Sequence, residues 1–170
     1  MKRIGVLSDT HGVIPPQVYN FFKDCDELWH AGDCGVGVLR TLREFKPVRA
    51  VYGNCDGADV RYAEPQTDLF ECEGHKVLLT HIGGHPGHYQ PMLLPILQRE
   101  HPDIMVCGHS HILRVMHDKQ YDMLYINPGA AGRQGFHLVA TLVRFTIDDE
   151  PKDMEIMEFD KLGVANDAAV

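Results

Sequence analysis

The sequence predicts an α/β protein built from two packed β-sheets flanked by helices. In the first half, short continuous apolar runs alternate with helix-length segments. The second half is strand-rich, with short turns. Most of the apolar runs also stop abruptly at polar residues, the pattern of strands buried on both faces of a sheet.

Ile4 to Leu7 is the first such run and stops at Ser8-Asp9. Pro15 and Pro16 start a helix that runs to about Cys25. Glu27 to His30 is a short second strand ending in Ala31-Gly32-Asp33. Val38, Leu39, Leu42 and Phe45 recur at helical spacing until Pro47. Arg49 to Tyr52 is then a third strand, running into Gly53-Asn54-Cys55-Asp56. Residues 57 to 67 read as a loop, Glu73-Gly74 as a hairpin turn, and Lys76 to Leu79 as a strand ending at Thr80-His81. The Gly- and Pro-rich stretch from His81 to Tyr89 is a loop. A helix over about Pro91 to Glu100 follows, then the strand that precedes Gly108-His109-Ser110-His111. Leu113 to Met116, Met123 to Ile126, Leu138 to Ile147 and Met154 to Phe159 are strand-like.

The 170 residues suit one domain, over 1–162, with 163–170 as a disordered tail. A net charge of -8 argues against non-specific binding to nucleic acid or to an anionic membrane, because both need summed positive charge. No run is long enough to span a bilayer, and the five residues between Arg3 and Asp9 are too few for a signal h-region. The five cysteines are odd in number and form no CxxC pair, which disfavours a disulfide framework or zinc ribbon and suits reduced thiols in the cytoplasm. Gly32 to Gly37 fails as a dinucleotide fingerprint, because Arg40 stands where the last glycine should be.

The chemistry gathers at the strand ends: Asp9 and His11, Asp33, Asn54, His81, then His109 and His111. Alone, each has an ordinary reading as a turn, cap or solvated loop residue. Together they matter, because ligands bind outside the carboxyl ends of strands in α/β sheets. Carboxylate, imidazole and amide donors suit borderline-hard divalent ions. Seven ligands exceed one tetrahedral site, and a bridging carboxylate lets two ions about 3.5 to 4 Å apart share the set.

SDTHG (8–12), GD (32–33), GNCD (53–56), TH (80–81) and GHSH (108–111), in this order, resemble the calcineurin-like metallophosphoesterases. The short chain, THIGG and INPGAAG (126–132) look like the small bacterial and archaeal YfcE-type branch. The resemblance covers about residues 1 to 160 and implies the αββα metallophosphoesterase sandwich. It also implies that Asp9, His11 and His111 hold one divalent metal ion, that Asn54, His81 and His109 hold a second, and that Asp33 bridges them. Manganese is the first choice of metal, with nickel, iron, zinc or cobalt also suiting the donors. Water held by both ions would lose a proton near neutral pH and attack a phosphoester in line, without a nucleophilic Ser or Cys. The two cations outweigh the charges of Asp9 and Asp33, so an anionic substrate is drawn to an otherwise acidic chain. The expected activity is hydrolysis of a small-molecule phosphoester, with a phosphodiester preferred. Assembly into a homo-oligomer stays open.

The pattern departs at Cys55, where many relatives carry a histidine thought to contact phosphate and assist the leaving group. Cys55 reads either as a weak donor or soft-metal ligand, or, preferred, as a small buried residue beside Asn54. Cys55, Asp56, His85 and Arg133 are candidate second contacts to substrate or ligands, with His85 or His88 as substitutes for the missing imidazole. His137 is a further candidate, and His30 is either a ligand-orienting residue or, preferred, a core histidine. A retromer subunit of the same fold has lost part of the metal set and serves in protein assembly. The resemblance therefore also admits a non-catalytic protein-binding scaffold, although all seven ligand positions are filled here.

Overall fold

The computed structural model describes residues 1–162, so the tail expected over 163–170 lies outside the described residues. In chain order the elements are β1 (Lys2–Leu7), α1 (Gln17–Phe21), β2 (Glu27–His30), α2 (Val38–Phe45), β3 (Val48–Ala50), α3 (Ala58–Ala63), β4 (Thr67–Cys72) and β5 (His75–Thr80). Then come the short β6 (Gly84–His85) and β7 (His88–Tyr89), a 3-10 turn at Pro91–Leu93, α4 (Leu94–Glu100) and β8 (Ile104–Val106). Finally β9 (Leu113–Asp118), β10 (Met123–Pro128), β11 (Val139–Ile147) and β12 (Pro151–Asp160) complete the chain.

Two five-stranded sheets form, ordered β12-β11-β1-β2-β3 and β4-β5-β8-β10-β9. Their centres, β1-β2-β3 and β5-β8-β10, are parallel, while β11, β12, β4 and β9 pair antiparallel at the flanks. Side chains alternate along each central strand and so divide into layers. Ile4, Val6, Trp29, Val77, Leu79, Ile104, Val106 and Phe145 fill the space between the sheets. Leu7, Leu28 and Ala50 face the other way, onto α1, α2 and α3 through Val18, Phe22, Leu42 and Val60. Leu78, Met105 and Tyr125 pack outward against Leu93 and Leu97 at the start and middle of the α4 region. This is the two-sheet sandwich with helices on both outer faces.

Three local expectations need correction. Residues 57 to 67 are not a plain loop, because Ala58–Ala63 is helical and β4 begins at Thr67. Only Val60 of that helix is buried, so no apolar stripe betrays it in the sequence. The stretch 81 to 89 also folds into a two-residue hairpin, β6 with β7, held by backbone pairing that leaves no side-chain period. The first helix is shorter than expected, ending at Phe21 rather than near Cys25.

Candidate metal centre

Asp9 and His11 follow β1, Asp33 follows β2, Asn54 follows β3, His81 follows β5, and His109 and His111 follow β8. Parallel strands aim their carboxyl ends at one edge, so these loops meet. The ligand atoms of Asp9, His11 and His111 lie within 4.8 Å of one another, as do those of Asp33, His81 and His109. A third group overlaps both: His11, Asp33 and Cys55. Asn54 joins through Oδ1, 3.1 Å from His81 Nε2.

Asp9 is buried, and its Oδ2 accepts from the Ser8 hydroxyl at 2.6 Å and from the His109 amide at 3.1 Å. Its Oδ1 faces Nε2 of His111 at 3.1 Å, of His11 at 3.8 Å and of His81 at 3.9 Å. Asp33 Oδ1 accepts from the Cys55 amide at 2.8 Å, while Oδ2 faces His81 at 3.2 Å and His11 at 3.7 Å. Among the described residues, the only ion-pair partners of these two carboxylates are histidines. Burial opposes ionisation of Asp33, but the His81 hydrogen bond and charge and the Cys55 amide outweigh it and hold the carboxyl at about 2. Asp9 is likewise lowered against its burial, by His111, His81 and Ser8.

His81 bears on which ions the donors suit. Its Nδ1 lies 2.7 Å from the Ala31 carbonyl, which only accepts, so Nδ1 carries the proton. A neutral ring then turns a lone pair at Nε2 toward Asn54 Oδ1 and Asp33 Oδ2, at 3.1 and 3.2 Å. Acceptors this close need a cation between them. Burial works against charging His81, yet the Asp33 hydrogen bond and the charges of Asp9 and Asp33 outweigh it, so its pKa is raised. The donor set therefore fits divalent ions.

The backbone bends to build this cluster. Asp9, His11, Asp33, His109 and His111 all have left-handed φ, between 45° and 69°. Such conformations disfavour side-chain-bearing residues and concentrate at functional sites. Close approach requires glycine nearby: a Cβ at Gly53 would strike the Asp33 carboxylate and amide, and one at Gly108 would strike Ser8 and Asp9.

Other residues singled out in the sequence take varied places. Cys55 is exposed, not buried as preferred above, and partial desolvation with the Asp33 charge raises its thiol pKa. Asp56 is buried and its carboxylate accepts from the amides of Cys34, Gly35 and Gly53, so it shapes two ligand loops. His85 is exposed and lines the same cleft as His109, and Arg133 is exposed on the loop between β10 and β11. His88 is exposed beside His85. His30 is fully buried: Nδ1 accepts from the Gly32 amide and Nε2 donates to Thr10 Oγ1 at 3.0 Å. Thr10 in turn donates to the Cys34 carbonyl at 2.8 Å, so His30 ties the loop of Asp9 and His11 to that of Asp33. Its burial pushes the imidazole down to about 4. Sequence reasoning assigned no role to Ser8, Thr10 or Arg61. Arg61, stacked on Tyr52, donates to the carbonyls of Gly53, Asn54 and Asp56 and braces the GNCD loop.

Two clefts open beside the centre. One, of about 230 Å³, runs past Asn54 and His81 between Tyr52, Arg61, Ile82 and Met92. The other, of about 150 Å³, runs past His109 between His85, Ile112 and Tyr125.

Comparison with known proteins places these features in a family. The chain is 32% identical over 162 residues to a probable metallophosphoesterase of Methanothermobacter thermautotrophicus, covering 91% of each. In structure it is similar to an archaeal phosphodiesterase (TM-score 0.73, 22% identity), over 92% of this chain and 99% of that one. It is also similar to zinc-complexed Vps29 of Entamoeba histolytica (TM-score 0.69, 21% identity, 94% and 99% covered). A predicted phosphoesterase of Streptococcus pneumoniae TIGR4 is similar too (TM-score 0.68, 24% identity, 94% and 97% covered). The family model of the calcineurin-like phosphoesterase superfamily domain matches residues 1–150, and the chain belongs to that superfamily.

Proposed function

We propose that the chain is a phosphodiesterase, a single catalytic domain over 1–162, whose strand-end residues would hold two divalent metal ions, manganese first, and that these would supply acidification of water and charge neutralisation at the phosphoryl group. The observation that carries this reading is the pair of buried carboxylates, Asp9 and Asp33, whose only ion-pair partners among the described residues are imidazoles. Asp9, His11 and His111 would hold one ion, Asn54, His81 and His109 the other, and Asp33 both. The Ser8 hydroxyl and the His109 amide fix the Asp9 carboxylate, and the Cys55 amide fixes Asp33. The two clefts favour a diester, because Asn54 and His81 line one and His109 the other, so that each would offer room to one organic arm of a phosphate held at the centre. In that pose His85, which lines the second cleft, would contact an arm, and the exposed Cys55 thiol beside His11 and Asp33 would contact the phosphate. The free cysteines support a reducing compartment, the cytoplasm.

Manganese-loaded protein is expected to hydrolyse bis(4-nitrophenyl) phosphate faster than 4-nitrophenyl phosphate, and Asp33→Ala to lose on the order of a hundredfold or more of that activity. Equal rates for native and variant protein would overturn the reading.

A scaffold role is the second reading, favoured by the likeness to Vps29 and by exposed Ile112 and Phe136, which share a cavity wall with His109 and His111. Because that Vps29 holds zinc, metal content alone does not separate the two readings. Hydrolysis does.

A further inference from the structure

We propose that His137 is a positioning residue that sets the tautomer of His111 and so presents His111 Nε2 to the metal held with Asp9. The inference rests on the reading of His111 as a metal ligand.

The direction of each hydrogen bond follows from one fixed end. His137 Nε2 lies 2.9 Å from the Gly132 carbonyl, and a carbonyl only accepts, so Nε2 carries the proton. Neutral His137 then has a lone pair on Nδ1, which lies 3.2 Å from His111 Nδ1. One proton must occupy that gap, and His111 supplies it. His111 Nε2 is left to face Asp9 Oδ1 at 3.1 Å. The two rings stand nearly perpendicular, at 89°, with centroids 4.9 Å apart.

The backbone is built for this contact. Gly135 has φ +121°, and a Cβ there would strike His111 Nδ1 and Cε1, so only bare backbone lets the segment after β10 close over the ring. The same segment is clamped at its start, where the Ala131 amide donates to the Ser8 carbonyl at 2.9 Å and the Gly132 amide to the Asp9 carbonyl at 3.1 Å. The bonds close a circuit: Asp9 backbone, Gly132 amide and carbonyl, His137, His111, and back to the Asp9 carboxylate. Residues 132 to 137 therefore belong to the metal centre without supplying a ligand. Hydrogen-bond partners of this kind orient metal-bound histidines and raise metal affinity.

The test uses zinc alone, a diamagnetic probe, on the full chain. Long-range ¹H–¹⁵N spectra of native zinc-loaded protein should show His111 bound through Nε2 with its proton on Nδ1. This measurement needs no variant, so it stands even if a substitution impairs folding. His137→Leu should weaken zinc at one of two sites about 10- to 100-fold. His137→Asn, whose Oδ1 can occupy the place of Nδ1, should recover much of that loss. Binding of zinc through His111 Nδ1, or an unchanged affinity in His137→Leu with His111 still bound, would overturn the inference while leaving the proposed centre intact. Absence of zinc from His111 in native protein would instead defeat the reading of the centre, and this inference with it.

Discussion

A histidine that must stay uncharged lies behind the centre. His30 is fully buried and titrates at about 4, against about 6.5 when unfolded. Between those values the unfolded chain binds the extra proton, so stability rises with pH there and is fully present above pH 6.5. As pH falls from 6.5 to 4, this one group should remove about 3 kcal/mol. The stability advantage of native protein over His30→Gln should therefore shrink across that window, measured by urea unfolding at a series of pH values; a constant gap would contradict the assignment. Cys55 gives a second check. Among the cysteines it alone is exposed, while Cys25, Cys34, Cys72 and Cys107 are buried. Iodoacetamide should label one site in the folded chain, more slowly than a free cysteine because the raised thiol pKa keeps thiolate scarce. Mass spectrometry finding a second modified cysteine under native conditions would count against this fold. The sequence could name Asp9, Asp33 and the histidines as candidate ligands because they stand in the short polar stretches that end the apolar runs. It could not show Thr10 bonded to His30, or His111 to His137, because 20 and 26 residues separate those partners and no local pattern links them.

At the scale of elements, the strands do little chemistry but decide where each loop begins. Runs such as Ile4–Leu7 and Ile104–Val106 were legible because both faces are buried, and that burial excludes polar residues until the strand ends. The helix α3 was not, since it buries one side chain and is held instead by Arg61 reaching back to three carbonyls. The hinge of the third loop is Gly53, whose missing side chain lets the chain after β3 pass against Asp33. Gly53→Ala should destabilise the protein by about 1 to 3 kcal/mol through overpacking. It should also reduce metal content, read by elemental analysis, because the clash falls on the Asp33 carboxylate itself. A variant with native stability and native metal content would show that the loop gives way freely.

The whole molecule is two sheets whose inner faces are joined by apolar side chains, among them Trp29, Leu79, Ile104 and Phe145. The candidate ligands are shared between the halves: Asp9, His11, Asp33 and Asn54 come from loops of the sheet containing β1, and His81, His109 and His111 from loops of the sheet containing β5. Bound ions would thus act as rivets across the open edge of the sandwich, where the hydrocarbon core gives way to polar loops. Chelation should lower the melting temperature by roughly 5 to 10 °C, taking metal at about a hundred times its dissociation constant. In hydrogen exchange, the loss of protection should be greatest at the ends of β1, β2, β5 and β8 nearest the ligands and least at the opposite ends. The metal that prepares the reaction would then also keep the two sheets from sliding past one another.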